Sequence, residues 1–296
     1  MSDTFFTKAP HWEWLIILYF FIGGIAGGSY FLAALLDLWD EPEDRPVARL
    51  GYYVAFVGIV LSGLLLTVDL NRPERFWHML IMSEHGWPMF KYWSPMSVGS
   101  WAVLVFGAFA FLSSLSALEE EGRVRWPLLG TLRRGVLGSL LAVLGGLCGF
   151  FVAGYTGVLL SVTNRPIWAD TNLLGVLFLL SGASTAAAAL ILLGRWRGVG
   201  AAAVQWLSWL DSRALVLELV VLIALVVSLG SVARVWLNAW GILLVIGVVL
   251  TGILLPLTLH ARPHWLGNLS VPAGAALVLI GGFLLRVVVV LSAQGV

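Results

Sequence analysis

The chain has 296 residues, 60% of them hydrophobic and only 11% charged, with a mean hydropathy of +0.96 and a formal net charge of +1. A soluble domain is about a quarter charged and about half apolar, so a soluble globule, a disordered chain and a coiled coil are excluded. Scattered Lys and Arg offer no basic surface for nucleic acid, and a single cysteine, Cys148, excludes internal disulfides, Cys-ligated zinc and an iron–sulfur cluster held by this chain alone.

A bilayer core of roughly 30 Å takes about 20 apolar residues of helix. Apolar runs bounded by charge, Pro or Asn predict eight spans: Leu15–Leu36, Leu50–Val68, Met96–Leu118, Gly135–Val162, Leu173–Leu193, Ala214–Ser231, Val235–Leu259 and Leu269–Leu291. The predicted fold is all-α, a polytopic bundle of eight transmembrane helices in lipid, forming a single integral membrane domain over 1–296. Lys8 is the sole basic residue ahead of the first block, and no small-residue cleavage site follows it. The first helix is therefore expected to stay in the membrane. An even number of spans puts both termini on one side, with Lys8, Arg72, Arg75, Lys91, Arg165 and Arg234. The other side carries Arg45, Arg49, Arg123, Arg125, Arg133, Arg134, Arg195, Arg197, Arg213 and Arg262. Basic loops stay inside, so both termini are expected outside.

Along the chain, His11, Trp12, Glu13 and Trp14 open the first span, and Tyr19 follows within it. Gly23 with Gly27 and Gly24 with Gly28 stand four apart, and Gly145, Gly149, Ala153 and Gly157 form a similar stripe in the fourth span. Small residues at that spacing let backbones approach where lipid supplies no hydrophobic drive. Asp69 ends the second span, where an acid opposes the helix macrodipole and needs a partner; Arg72 and Arg75 are nearest in sequence. It reads equally as half of a structural ion pair and as a proton-handling group. Asn71 and Glu74 have capping-box spacing, with Pro73 in the first turn of a short interfacial helix presenting Phe76, Trp77, Leu80 and Ile81.

Tyr155 stands about 200° from Ala153 and about 160° from Gly157 at 100° per residue, facing away from the small-residue stripe toward lipid or a cavity. Spacing alone favours a belt aromatic over a functional one. Glu218 and Arg286 lie inside the sixth and eighth spans. A charge at membrane depth costs at least about 2.5 kcal/mol unless paired or hydrated. Both are expected to face the bundle interior, as structural partners or as proton-transfer groups. The five histidines (His11, His78, His85, His260 and His264) fall at span ends or in loops, which argues against a bis-His haem between helices. Neither haem nor metal is expected in this chain.

Five stretches resemble the NrfD/PsrC family, the polysulfide reductase membrane subunits. They are the Gly-rich Phe21-Ile22-Gly23-Gly24-Ile25-Ala26-Gly27-Gly28, Asp69-Leu70-Asn71-Arg72-Pro73-Glu74-Arg75-Phe76-Trp77-His78, and Ser94-Pro95-Met96-Ser97-Val98-Gly99-Ser100-Trp101. The others are Tyr155-Thr156-Gly157-Val158-Leu159-Leu160 through Asn164-Arg165-Pro166-Ile167-Trp168, and Gly281-Gly282-Phe283-Leu284-Leu285-Arg286. The resemblance covers nearly the whole sequence, and the second and fourth stretches are the specific ones.

The resemblance implies a haem-free, eight-helix subunit of a prokaryotic plasma membrane, where the outside to which the charge bias assigns both termini is the periplasmic side. It implies exchange of electrons between a quinone, menaquinone or ubiquinone, and a ferredoxin-like iron–sulfur partner subunit, with a molybdopterin or multihaem catalytic subunit beyond it. Carried over residue by residue, the quinone-binding Tyr is Tyr155 and the Asn is Asn164. The first-helix contact falls at Tyr19, where the polysulfide reductase type has a His, and Glu13 or His11 are substitutes for it. Asp69 is the rim acid of the site, and Glu218 makes a proton path across the bundle conceivable. Two other readings are a secondary transporter, which predicts inverted repeats and broken helices at the midplane, and a passive anchor without a quinone site.

Overall fold

The structure, a computed structural model, describes residues 12–39, 43–126, 130, 135–262 and 264–294. Among these residues eight helices are long and apolar enough to cross a bilayer. They are α1 (Trp14–Trp39), α2 (Arg45–Val68), α3 (Pro95–Glu120), α4 (Gly135–Ser161), α5 (Leu174–Trp196), α6 (Ala201–Leu229, continued by a 3₁₀ turn Gly230–Trp236), α7 (Ala239–Ala261) and α8 (Ser270–Ser292). The protein is an all-α polytopic membrane protein. His11 lies outside the described residues.

The predicted spans match these helices within a few residues, except at α6. That helix begins at Ala201, thirteen residues before the predicted Ala214. Gln205, Ser208, Asp211, Ser212 and Arg213 lower the hydropathy of the segment without breaking the helix. At 29 residues α6 is about 43 Å long, more than the roughly 30 Å core, so its first turns reach past the hydrocarbon. Asp211 and Arg213 are helical residues, not loop residues.

The short interfacial helix also differs from expectation. It is a 3₁₀ helix, Pro73–Met79, entered through Arg72 with no side-chain cap. Proline pushes the residue before it out of the helical region, so the boundary falls at Arg72 (φ −135°) and Asn71 is one residue too early to close a capping box. Phe76, Trp77 and Ile81 are exposed along it.

α1 is the hub. It packs against α2, α4, α5 and α8, and its interior face is small. A Cβ on Gly149 of α4 would stand 2.7 Å from the Gly27 carbonyl oxygen, and one on Gly28 would stand 2.6 Å from the Gly182 oxygen of α5. Backbone therefore meets backbone on two sides of α1, which is the close approach both glycine stripes predict. The two ends of the described sequence are tied together: Trp12 N–H donates to Gln294 Oε1 (2.9 Å) and Gln294 Nε2 donates to the Trp12 carbonyl (2.7 Å). The face that holds them is called the terminal face below, and the other the opposite face.

Side-chain atoms at Gly28 have nowhere to go, whereas Gly63 of α2 has open space beside it. Overpacking costs about 1–3 kcal/mol. Gly28→Val is expected to lower the Tm of the detergent-solubilised protein and its folded yield, while Gly63→Ala leaves both unchanged. Equal melting of the two variants would remove the α1–α5 backbone contact as a determinant of stability.

Candidate functional site at the terminal face

Two acids stand at the rim, Glu13 just ahead of α1 and Asp69 just past α2. Asp69 is the C-cap of α2, its N–H bonded to the Leu65 carbonyl (3.0 Å). Among the described residues no ion pair joins it to Arg72 or Arg75, contrary to the expected partnership. Both arginines sit in the exposed turn that Pro73 directs away from the helix end. The charge that Asp69 feels is that of Glu13. Partial burial first, and then the negative Glu13, push the Asp69 carboxyl above its ordinary range, so it keeps its proton to higher pH.

One to two turns deeper, three hydroxyl-bearing residues lie at one level. Tyr19 of α1 is five residues from the helix start, Ser62 of α2 six from its end, and Tyr155 of α4 six from its end. That is about 8–9 Å below the helix ends at 1.5 Å per residue. The Tyr19 ring and Ser62 Oγ each lie 3.5 Å from the point where a Cβ on Gly23 would be. Ser62 Oγ is buried with no hydrogen-bond partner among the described residues. Tyr19 is 2% exposed and within electrostatic reach of Tyr155.

Tyr155 faces neither lipid nor an open cavity, which corrects the expectation drawn from its angle on the helix. It is buried, stacked on Phe151 (centroids 5.6 Å apart, planes at 27°), and its hydroxyl donates to the Pro95 carbonyl. The first turn of α3 covers it because Gly99 leaves a socket: a Cβ there would stand 2.6 Å from Tyr155 Cζ. Ser94 holds that turn, its Oγ accepting from Ser97 N–H (3.4 Å). Lys91 N–H to Ser97 Oγ (3.0 Å) and Trp101 Nε1 to the Met89 carbonyl (2.8 Å) tie the preceding loop to α3.

Asn164 is exposed in the turn past α4, and no described contact joins it to Tyr155. The turn is pinned just beyond it. Ile167 has φ +71°, an outlier for a β-branched residue, and its N–H donates to Asp170 Oδ2 (3.0 Å). Trp168 is fully buried, stacked on Trp12 (5.1 Å), with its indole N–H on the Val289 carbonyl (2.7 Å).

Glu218 and Arg286 face the interior as expected, but on the other side of α1 from this site. Ser62, Asp211 and His260 are functional candidates that sequence reading misses. Ser62 stands seven before Asp69, and Asp211 seven before Glu218, so in each case one helical face carries the pair. His260 ends a span as expected, yet its side chain is only 4% exposed. Among the described residues no group of three or more His, Cys, Asp or Glu is placed to hold a metal.

Eight membrane-spanning helices, with hydroxyls and carboxyls gathered near one rim, define a class: a multi-pass helical membrane protein with a polar cluster close to one face. Residues 3–296 match the family model described as polysulphide reductase, NrfD, and the protein belongs to that family of membrane subunits of oxidoreductase complexes. It is similar to a polysulfide reductase polypeptide of Wolinella succinogenes, with 27% identity over 311 aligned positions, 96% of this sequence and 94% of that one. It is also similar to protein NrfD of Escherichia coli, 31% identical over 207 residues (63% of this sequence, 60% of that one). A selenate reductase subunit of Mesobacillus selenatarsenatis is 26% identical over 103 residues, 35% of this sequence and 22% of that one.

If Glu13 helps hold the proton on Asp69, then Glu13→Gln lowers the Asp69 pKa. Infrared or carbon-13 NMR titration of the Asp69 carboxyl checks this, and an unchanged or raised midpoint would remove the coupling.

Proposed function

We propose that this protein is the quinone-reactive membrane subunit of a respiratory oxidoreductase. One observation carries the reading: buried hydroxyls of Tyr19, Ser62 and Tyr155 at one level, directly beneath the carboxyls of Glu13 and Asp69. The donor set suits a quinone head group. Neutral hydroxyls can meet its two carbonyl oxygens without placing charge at depth, and Ser62 Oγ has no hydrogen-bond partner among the described residues. A bound quinone, menaquinone or ubiquinone, would supply two-electron, two-proton redox chemistry.

The protein's own residues do the rest. Tyr155 would turn its hydroxyl hydrogen bond from the Pro95 carbonyl to a bound head group, keeping its own proton, and Tyr19 and Ser62 would orient the ring from the α1 and α2 side. Asp69, whose proton is retained to higher pH, exchanges protons with the terminal-face solvent, and Glu13 sets its affinity. Asn164, exposed in the turn past α4, is a further contact at this rim. The exposed aromatics Phe76, Trp77, Trp87, Tyr92 and Trp93 give a face on which a ferredoxin-like iron–sulfur subunit docks, with a molybdopterin or multihaem catalytic subunit beyond it. The similar proteins named for polysulfide and selenate reductases support a reductase assembly. The basic bias supports a terminal face on the outer, periplasmic side of a prokaryotic plasma membrane.

A passive anchor is the second reading, and one observation favours it: the Tyr155 hydroxyl is already satisfied by Pro95. Tyr155→Phe separates the two. It keeps the ring in its Gly99 socket and removes only the donor, worth about 1–3 kcal/mol where a developing negative oxygen is the acceptor. Quinone-linked turnover of the intact complex should fall about tenfold to a hundredfold, while activity with a soluble dye that bypasses the membrane subunit is unchanged. Wild-type rates in both assays would leave the passive anchor standing.

Orientation is checked separately. Ser2→Cys, in a protein where Cys148 is replaced by Ala, should react with a membrane-impermeant maleimide added outside intact cells. Labelling only after the inner face is opened would put the rim and its partners in the cytoplasm.

A further inference from the structure

At the opposite face four helix ends surround one cavity. It measures 520 Å³ and lies where α5 ends, α6 begins, α7 ends and α8 begins. Arg195 comes from the last turn of α5, Gln205 and Ser208 from the first turns of α6, and His260 from the last turn of α7. Val204 and Val271 supply apolar wall, and no acid lines the cavity among the described residues. α7 packs mainly on α8, so the cavity also marks the looser join between α6 and that pair.

The polar groups of this wall lack partners. No ion pair or hydrogen bond to the side chain of Arg195 or Gln205 is found among the described residues. α6 starts after Gly200 with no side-chain cap, so its first N–H groups and the positive end of a 29-residue helix dipole stand at the cavity. His260 has a side chain only 4% exposed. Ser212 Oγ donates to the Ser208 carbonyl (2.8 Å) and so offers a lone pair to His260 Nδ1 (3.3 Å). The ring proton then sits on Nδ1 and leaves Nε2 as an acceptor. Nε2 has no hydrogen-bond partner among the described residues. Asp211, whose Oδ2 is 3.8 Å from Nδ1, is fully buried on that side of the ring and bonded by Ser184 (2.6 Å). The wall therefore suits a ligand that turns negative charge toward Arg195 and the α6 amides and a hydrogen-bond donor toward His260.

Depth names the source of such a ligand. Ala201 and Ser208 are about 10 Å apart along α6, and Trp209 follows them, exposed and with Arg213 stacked on it (4.6 Å). Between α7 and α8 Trp265 is paired with Arg262 in the same way (5.2 Å). Interfacial tryptophans and arginines mark the boundary between hydrocarbon and water, so the cavity lies at the level of lipid headgroups. Inorganic phosphate would use the arginine and the amides and leave the valines without contact, whereas a lipid uses both.

We propose that this cavity binds one anionic phospholipid whose headgroup carries a hydroxyl donor, of the phosphatidylglycerol type. Its phosphodiester meets Arg195, Gln205 and the α6 N-terminus, and a headgroup hydroxyl donates to His260 Nε2. Its glycerol backbone lies on Val204 and Val271, and the lipid joins α6 to the α7–α8 pair. No covalent bond is made or broken. The site is on the other face of the bundle from Tyr155 and does not rest on the quinone reading.

The test is native mass spectrometry of the full-length protein, delipidated in detergent and titrated separately with phosphatidylglycerol, phosphatidylmethanol, phosphatidylcholine and inorganic phosphate. One phosphatidylglycerol is expected to stay bound at collision energies that strip all others. Phosphatidylmethanol, which keeps the phosphodiester and loses the hydroxyls, should be held more weakly, and phosphatidylcholine, with neither net charge nor donor, more weakly still. Arg195→Gln should weaken phosphatidylglycerol binding about tenfold. Arg195 is exposed, so its replacement leaves the fold intact. Arg213→Gln, which removes an exposed arginine outside the cavity wall, should leave binding unchanged. Phosphatidylglycerol held no tighter than phosphatidylcholine or phosphatidylmethanol, or equal losses in the two arginine variants, would overturn the proposal. So would displacement of the lipid by millimolar inorganic phosphate, which would make this a free-anion site.

Discussion

The rim hydroxyls and the buried Arg286 both depend on how closely α1 lies against its neighbours. Inside lipid an apolar side chain gains little by leaving lipid for protein, so helices associate through packing and hydrogen bonds instead. Gly27 against Gly149, and Gly28 against Gly182, remove the side-chain layer and bring main chains together. A residue on α1 then reaches a neighbouring helix with its own backbone, and a neighbour can reach the α1 backbone in return. Arg286 does so: its Nε finds the Phe20 carbonyl, and its terminal nitrogen passes where a Cβ on Gly24 would be (2.9 Å). A larger residue at Gly24 would displace the guanidinium.

The two glycine pairs divide α1 into two working faces. Tyr19, Gly23 and Gly27 look toward α2 and α4, where Ser62 and Tyr155 lie. Phe20, Gly24 and Gly28 look toward α5 and α8, where Ser181 and Arg286 lie. Neighbouring residues of one helix therefore serve two separate polar systems at the same depth, with the helix itself as the partition. Tyr19 and Phe20 are adjacent in sequence, and that adjacency is the shortest covalent link between the two.

The number of helices, the small-residue contacts and the inward placement of Glu218 and Arg286 are legible in the sequence because each follows from one strong term, the cost of polarity in hydrocarbon. What escapes reading is where a weak term decides. The early start of α6 is hidden because Asp211, Ser212 and Arg213 look like a loop, although their backbone is helical and Asp211 turns inward while Arg213 turns out. The burial of Tyr155 escapes because helical angle names a direction, not the neighbour found there; α3 and Gly99 supply it. Proximity in sequence pairs Asp69 with an arginine, and Pro73 turns those arginines away. The i, i+7 spacing of Asp211 with Glu218 is a readable signal that a boundary placed at Ala214 cuts in two.

Cost by depth also accounts for the division of labour within the candidate site. A neutral hydroxyl taken into hydrocarbon costs far less than an ionised carboxyl, so Tyr19, Ser62 and Tyr155 can sit a turn or more below the rim without counter-ions. Glu13 and Asp69 stay at the rim, where water is close enough to exchange protons yet scarce enough that one acid raises the proton affinity of the other. The other side of α1 breaks this rule by burying the carboxyls of Asp211 and Glu218, and it is also where a fully buried arginine is found. Arg286 is the charged group that Glu218 faces at that depth. It stands at the level of the hydroxyls but across α1 from them, so the bundle keeps a cation at the depth of the candidate site without placing it in contact with Tyr155.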